Sequence, residues 1–186
     1  MKQQTRSMIF AALFTALTAF GAFIQIPIPP YPVPMTLQTM FLFLAGLLLE
    51  KRAALLSQVT YVVLGLIGIP VFTRGGGIGY IFDATFGYLL GFILFAPMLR
   101  LIAEKTLYQG KRFRYWSAGI ALVVLLQLIG VGYMALIAAF YTKIPLSFER
   151  AIYLIVIFIP LDILKLSIAT LLATQLRGRL PHVFQS

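Results

Sequence analysis

Pro160-Leu161-Asp162-Ile163-Leu164-Lys165 sets a carboxylate and an ammonium three positions apart inside an apolar run from Ala151 to Ala173. A run of that length suits a helix crossing a bilayer, which takes about 20 residues. The charged pair separates it from an ordinary membrane helix. An ionisable group at bilayer depth is expensive unless it is paired or faces a cavity, so it marks a ligand or ion path by default. At i and i+3 the two groups share a helix face and can reach each other. One reading is a ligand-binding wall. The other is a self-neutralising pair that fastens helices and binds nothing. Pro160 removes the bond to the Val156 carbonyl and bends the helix, either opening a cavity on its concave side or kinking it for packing alone.

Working outward, the 186-residue chain is 61% hydrophobic and 11% charged, too little polar surface for a water-soluble globule. It reads as an all-α integral membrane protein. Apolar stretches fall at Met8 to Ile26, Met35 to Leu49, Ala53 to Ile69, Ala84 to Ile102, Tyr115 to Phe140 and Ala151 to Gln175. Six transmembrane helices in one compact bundle result, with 1–186 as a single domain free of linkers and low-complexity tracts. The second and third spans are short and separated by Glu50-Lys51-Arg52, which predicts tilted or partly embedded helices joined by a tight turn. The first span runs too long for a signal peptide and leads into further membrane helices, so it is read as retained. No inverted repeat is visible, which argues against a self-sufficient carrier rocking two halves about a midplane site.

The net charge of +10 would suggest nucleic acid in a soluble protein. With the N terminus in the cytoplasm, Lys2, Arg6, Lys51, Arg52, Arg100, Lys105, Lys111, Arg112, Arg114, Arg177 and Arg179 fall inside, and Arg74, Lys143 and Arg150 outside. That bias satisfies the positive-inside rule, puts both termini in the cytoplasm, and makes the basicity topological, with no nucleic-acid partner. The lipid bilayer of the cell membrane is the expected surrounding.

Enzyme chemistry finds no purchase. There is no cysteine, and the single histidine, His182, lies in a polar tail, so no metal site is expected. The five acidic residues are scattered, and no serine sits with a base, so no catalytic residue is assigned. The run Gly75-Gly76-Gly77-Ile78-Gly79-Tyr80 lacks a P-loop lysine, and the third glycine of a dinucleotide fingerprint is replaced by Tyr80.

Two loops assigned to the outside are unlike ordinary connectors. Pro27-Ile28-Pro29-Pro30-Tyr31-Pro32-Val33-Pro34 holds half of the ten prolines and predicts a rigid cap. Pro70-Val71-Phe72-Thr73-Arg74 leads into the glycine run, whose residues permit close backbone approach to a surface or a small molecule, or form a plain flexible loop. Gln38, Gln58, Tyr61 and Gln127 offer hydrogen bonds in a dry setting, for a ligand or for helix packing. Ala12-Leu13-Phe14-Thr15-Ala16 and Gly87-Tyr88-Leu89-Leu90-Gly91 are small-xxx-small patterns. Both suit internal packing, and the first also suits docking by another membrane subunit.

Taken in order, Pro34-Met35-Thr36-Leu37-Gln38-Thr39, Gly65-Leu66-Ile67-Gly68-Ile69-Pro70-Val71-Phe72, Gly75-Gly76-Gly77-Ile78-Gly79-Tyr80, Gly87-Tyr88-Leu89-Leu90-Gly91-Phe92 and Pro160-Leu161-Asp162-Ile163-Leu164-Lys165 resemble the BioY family over nearly the whole chain. That resemblance implies a six-helix substrate-binding (S) component of an energy-coupling factor (ECF) transporter. Such a subunit captures biotin with high affinity and hydrolyses nothing itself. It also implies partners: a membrane coupling (T) subunit, met through Ala12 and Ala16, and two cytoplasmic ATPase subunits. No cofactor is implied, since biotin is the transported ligand. The substrate-binding residues implied are Asp162, Lys165, Asp83, Gly77, Tyr80 and Gln127, with Asp162 accepting from ureido N–H groups and Lys165 donating to the ureido carbonyl or balancing the valerate. Asp83 departs from the small or amide residue expected there, and is read either as the N-cap of the fourth span or as a charge that alters affinity. An S component for another vitamin, and a membrane interaction subunit with no small ligand, are the alternative readings.

Overall fold

The computed structural model describes residues 3–28, 33–143 and 146–180. Six helices carry the fold: α1 (Gln3–Phe23), α2 (Gln38–Leu48), α3 (Lys51–Leu66), α4 (Phe86–Lys105), α5 (Arg112–Phe140) and α6 (Phe148–Arg179). Each lies where the apolar pattern predicts a span. Four of them, α1, α4, α5 and α6, are long and apolar enough to cross a membrane. At 1.5 Å per residue, the 32-residue α6 is about 48 Å long, well beyond a hydrocarbon core of about 30 Å.

The second span is shortest because it is innermost. The 11-residue α2 buries eight of its residues, packing on α1, α4 and α6. An apolar helix enclosed on all sides has no need to reach both bilayer surfaces. Gly46 makes the enclosure possible, since a Cβ there would come within 2.9 Å of the Ala96 carbonyl oxygen. Only Leu49 and Glu50 separate α2 from α3, so Lys51 and Arg52, expected in the turn, belong to the third helix.

Around α2, α1 packs on α3, α3 on α4, α4 on α5 and α5 on α6. The glycines of Gly87-Tyr88-Leu89-Leu90-Gly91 are contact points on α5: a Cβ at Gly87 would meet Tyr133 Cβ at 2.2 Å, and one at Gly91 would meet Leu126 Cδ1 at 2.5 Å. Large apolar side chains such as Phe20, Leu94, Leu128 and Leu171 stand exposed on the outer surface, as a lipid solvent requires.

The proline-rich loop is closed at its base by strands β1 (Gln25–Ile26) and β2 (Met35–Thr36), antiparallel with Gln25 opposite Thr36. Residues 29–32 of the expected proline cap and His182 lie outside the described residues. The glycine loop is pinned to the bundle. Phe72 is buried against Tyr61 and Tyr80 with its ring seated over Gly65, where any Cβ would collide with it. A 3-10 turn (Ile78–Phe82) then leads into α4.

Candidate binding site

Asp162 and Lys165 of α6 look inward onto a cavity. Phe158, Asp162 and Lys165 form its α6 wall, α5 contributes Gln127, and α4 contributes Tyr88, Leu89 and Phe92. Val33, Pro34, Thr36, Gln38 and Thr39 close it from the start of α2, with Thr73, Tyr80 and Thr85 from the glycine loop and the approach to α4. The space between these atoms, its mouth included, is about 510 Å³.

The charged pair is buried and its ammonium is fully engaged. Lys165 Nζ donates to Asp162 Oδ1 at 3.1 Å, to Thr39 Oγ1 at 2.9 Å and to the Thr36 carbonyl oxygen at 2.9 Å. An ammonium has three protons, so these bonds use all of them. Thr39 Oγ1 in turn donates to Asp162 Oδ1 at 2.9 Å. The other carboxylate oxygen, Oδ2, accepts from Gln127 Nε2 at 2.7 Å, and Gln127 Oε1 accepts from the Tyr88 hydroxyl at 3.0 Å. Open valences on this network include a lone pair on Asp162 Oδ2 and, beside it, the second N–H of Gln127.

Local backbone holds these groups in register. Leu37 N–H donates to the carbonyls of Gly21 and Ile24, tying the entry of α2 to the end of α1. A Cβ at Gly21 would lie 2.8 Å from Gln38 N, so this approach needs glycine. On α5, Gly130 opens the slot in which the Tyr88 ring lies. The helix α6 runs unbroken through Pro160, and Phe158 and Asp162 on either side of it both face the cavity.

At the loop end, three hydroxyls are strung together. Thr85 Oγ1 donates to Asp83 Oδ1 at 2.6 Å, Tyr80 Oη lies 3.0 Å from Thr85 Oγ1, and Thr73 Oγ1 lies 2.8 Å from Tyr80 Oη. Asp83 Oδ1 also accepts from Thr85 N–H at 2.8 Å, and Oδ2 pairs with Arg74 Nη1 at 3.2 Å. Burial pushes the Tyr80 phenol above its usual range, so it stays a donor.

Of the residues singled out from sequence, Asp162, Lys165, Tyr80, Gln127 and Gln38 meet in one cavity. Asp83 and Gly77 do not line it. Asp83 stands behind Thr85, the residue before α4, and its extended backbone and its carboxylate, which accepts the Thr85 N–H, cap the approach to that helix. Gly77 has φ of 107° and donates to the Gly65 carbonyl at 2.7 Å, so it shapes the loop that carries Tyr80. Tyr61 bonds Gln38 and the Val71 carbonyl from behind the wall, while Gln58 reaches Ser57 Oγ at 3.1 Å between α1 and α3. Thr36, Thr39, Thr73, Thr85 and Tyr88 were not singled out. Threonine and tyrosine are common in membrane helices, and no spacing rule separates these from their neighbours. Ala12 and Ala16 are exposed on α1 and line a shallow apolar groove with Ala19, Tyr61 and Leu64.

Comparison with known proteins gives this arrangement a context. The model of the BioY family matches residues 1–182. A protein named biotin transporter BioY from Thermotoga maritima is 38% identical over 175 residues, covering 92% of this chain and 96% of its own. A probable biotin transporter BioY from Lysinibacillus sphaericus is 44% identical over 133 residues, which span 72% of this chain and 66% of that protein. Among solved structures, the S-component for biotin from an ECF-type ABC transporter superposes with a TM-score of 0.76 at 25% identity, over 95% of this chain and 93% of the other. With six helices in the S-component arrangement and a family match from end to end, the chain belongs to the BioY family.

Proposed function

We propose that this chain is the substrate-capture subunit for biotin in an ECF-type transporter, a multi-pass protein of the cell membrane forming one domain over 1–186. The observation that carries the reading is the pair of open valences beside Asp162 and Gln127. One acceptor and one donor on adjacent side chains complement one N–H and the carbonyl of a cyclic urea, the head group of biotin. Both act in a desolvated site, where a bond to a charged group is strong. In this reading Asp162 takes a ureido N–H and Gln127 donates to the ureido oxygen. Lys165, whose three protons are already engaged, holds Asp162 in orientation. Tyr80 meets the ligand at the loop end, with Gly77 and Asp83 supporting that end from behind. Leu89, Phe92 and Phe158 supply apolar surface for the bicycle and its thioether.

The cavity opens outward in this assignment. Arg100 and Tyr108 both bond the Leu47 carbonyl, and Arg177 lies over the Tyr108 ring, so the basic ends of α4 and α6 share one end of the bundle. The positive-inside rule assigns that end, and both termini, to the cytoplasm. Glycine-loop residues line the opposite end. ATP hydrolysis is left to two separate ATPase subunits, reached through a membrane coupling subunit that docks along Ala12 and Ala16.

The test is a binding isotherm for purified protein with biotin, beside mass spectrometry of co-purifying small molecules. Saturable binding of biotin at one site per chain is expected. A different vitamin carried through purification, or no thermal shift with biotin, overturns the assignment.

A further inference from the structure

The loop end of the cavity carries proton bookkeeping of its own. Asp83 accepts at both oxygens, from the Thr85 N–H and from Arg74, and the 2.6 Å contact is donated to it by Thr85. Each hydroxyl has one proton. With the Thr85 proton committed, the 3.0 Å contact must be donated by Tyr80, and the 2.8 Å contact to Tyr80 must then be donated by Thr73. The relay runs one way, from Thr73 through Tyr80 and Thr85 to Asp83. Thr73, Tyr80 and Thr85 all line the cavity, and their hydroxyls keep only lone pairs unengaged, two on Thr73 and one on Thr85.

We propose that Asp83 is a positioning residue for substrate selection: by taking the Thr85 proton it turns the three hydroxyls into an acceptor wall, which takes an N–H or O–H of the substrate and offers a carboxylate nothing. The proposal rests on the biotin reading for its ligand, whose only donors at neutral pH are the ureido N–H groups. The anionic tail is accordingly directed away from this wall. Asp83 does not repel the tail by contact, because it stands behind Thr85 with its charge met by Arg74.

A double-mutant cycle on biotin affinity tests this. Asp83→Ala and Thr85→Val each interrupt the same relay, so each weakens binding about tenfold and the double variant is no weaker than either. The conservative Asp83→Asn keeps an acceptor oxygen for Thr85 and rescues affinity to within about threefold of the parent. Additive losses, about a hundredfold in the double variant, overturn the proposal. So does tighter binding by Thr85→Val, because a freed Tyr80 proton would then be serving the tail. A parent that binds no biotin sinks the ligand reading instead, and the relay is judged without ligand. The Tyr80 contribution to the ultraviolet resonance Raman spectrum, isolated by subtraction of Tyr80→Phe, should report a phenol that both donates and accepts. Asp83→Ala should alter it, and an unchanged band overturns the relay.

Discussion

Gln127 on α5 and Asp162 on α6 meet at 2.7 Å, amide nitrogen to carboxylate oxygen, where these two helices present polar groups to each other in the cavity. Because Gln127 also accepts from Tyr88, its amide cannot turn over without breaking both bonds. Its second N–H therefore has a fixed direction, as the proposed bond to the ligand's acceptor requires.

Replacing Gln127 by Leu removes that donor and strips partners from Asp162 Oδ2 and the Tyr88 hydroxyl. A buried polar group left unsatisfied costs about 1–3 kcal/mol. Biotin affinity in Gln127→Leu is expected to fall between roughly tenfold and a hundredfold by isothermal titration. An analogue lacking the ureido carbonyl should lose far less on the same substitution. Equal losses for the two ligands would remove Gln127 from recognition.

The ion pair separates stability from binding. Lys165→Ala leaves the Asp162 carboxylate buried without its cation, and breaking such a pair costs about 3–5 kcal/mol. Lys165→Ala with Asp162→Ala removes both charges, so thermal unfolding in detergent should recover toward the parent while biotin binding stays lost. A double variant that still binds biotin would reduce the pair to a helix fastener, the structural alternative raised by its spacing alone.

Much of this was legible from the residues. Helix number and position follow from apolar runs whose length the bilayer sets, and the inward face of α6 follows from the expense of charge in oil. Less legible was how α2 is enclosed, because an apolar helix reads the same whether lipid or protein surrounds it. Asp83 shows why side-chain roles stay hidden. Its position two residues before Thr85 suits a cap, and the carboxylate does take the Thr85 N–H; what the spacing hides is the onward bond from Thr85 to Tyr80, whose ring packs on the Phe72 seated over Gly65. Thr36 and Thr39 straddle Gln38 in a segment already marked by the family resemblance, which was the one available signal for them.

Gly130 should behave as a binding residue without touching the ligand. A Cβ there would sit 2.3 Å from atoms of the Tyr88 ring, so Gly130→Ala must displace the ring whose hydroxyl holds Gln127. Overpacking of this kind costs about 1–3 kcal/mol. The expected result is a lower melting temperature together with weaker biotin binding, and Gly130→Ala with Tyr88→Leu, which removes the clashing ring atoms, should regain less affinity than stability. Gly132→Ala is the control, since a Cβ at Gly132 meets nothing within 4 Å. Identical behaviour of the two alanine variants would show that Tyr88 adapts freely and that its bond to Gln127 is incidental.

The groove along α1 should separate capture from transport. Ala11, Phe14 and Thr18 turn into the bundle, whereas Ala12 and Ala16 turn out of it, so larger side chains at the latter two displace no core atom. Ala12→Leu with Ala16→Leu fills the groove that a partner helix would need for close approach, since membrane helices associate through small residues that let backbones near one another. Biotin affinity of the isolated protein is expected to stay within about twofold of the parent, well under the 1.4 kcal/mol of a tenfold change. Uptake in cells, and recovery of the chain with a coupling subunit, should both fall sharply. The groove also touches Tyr61, which bonds Gln38 in the cavity wall. A loss of affinity in the isolated variant would therefore mean that the groove and the cavity are coupled through Tyr61. Undiminished uptake would place the docking surface on another face of the bundle.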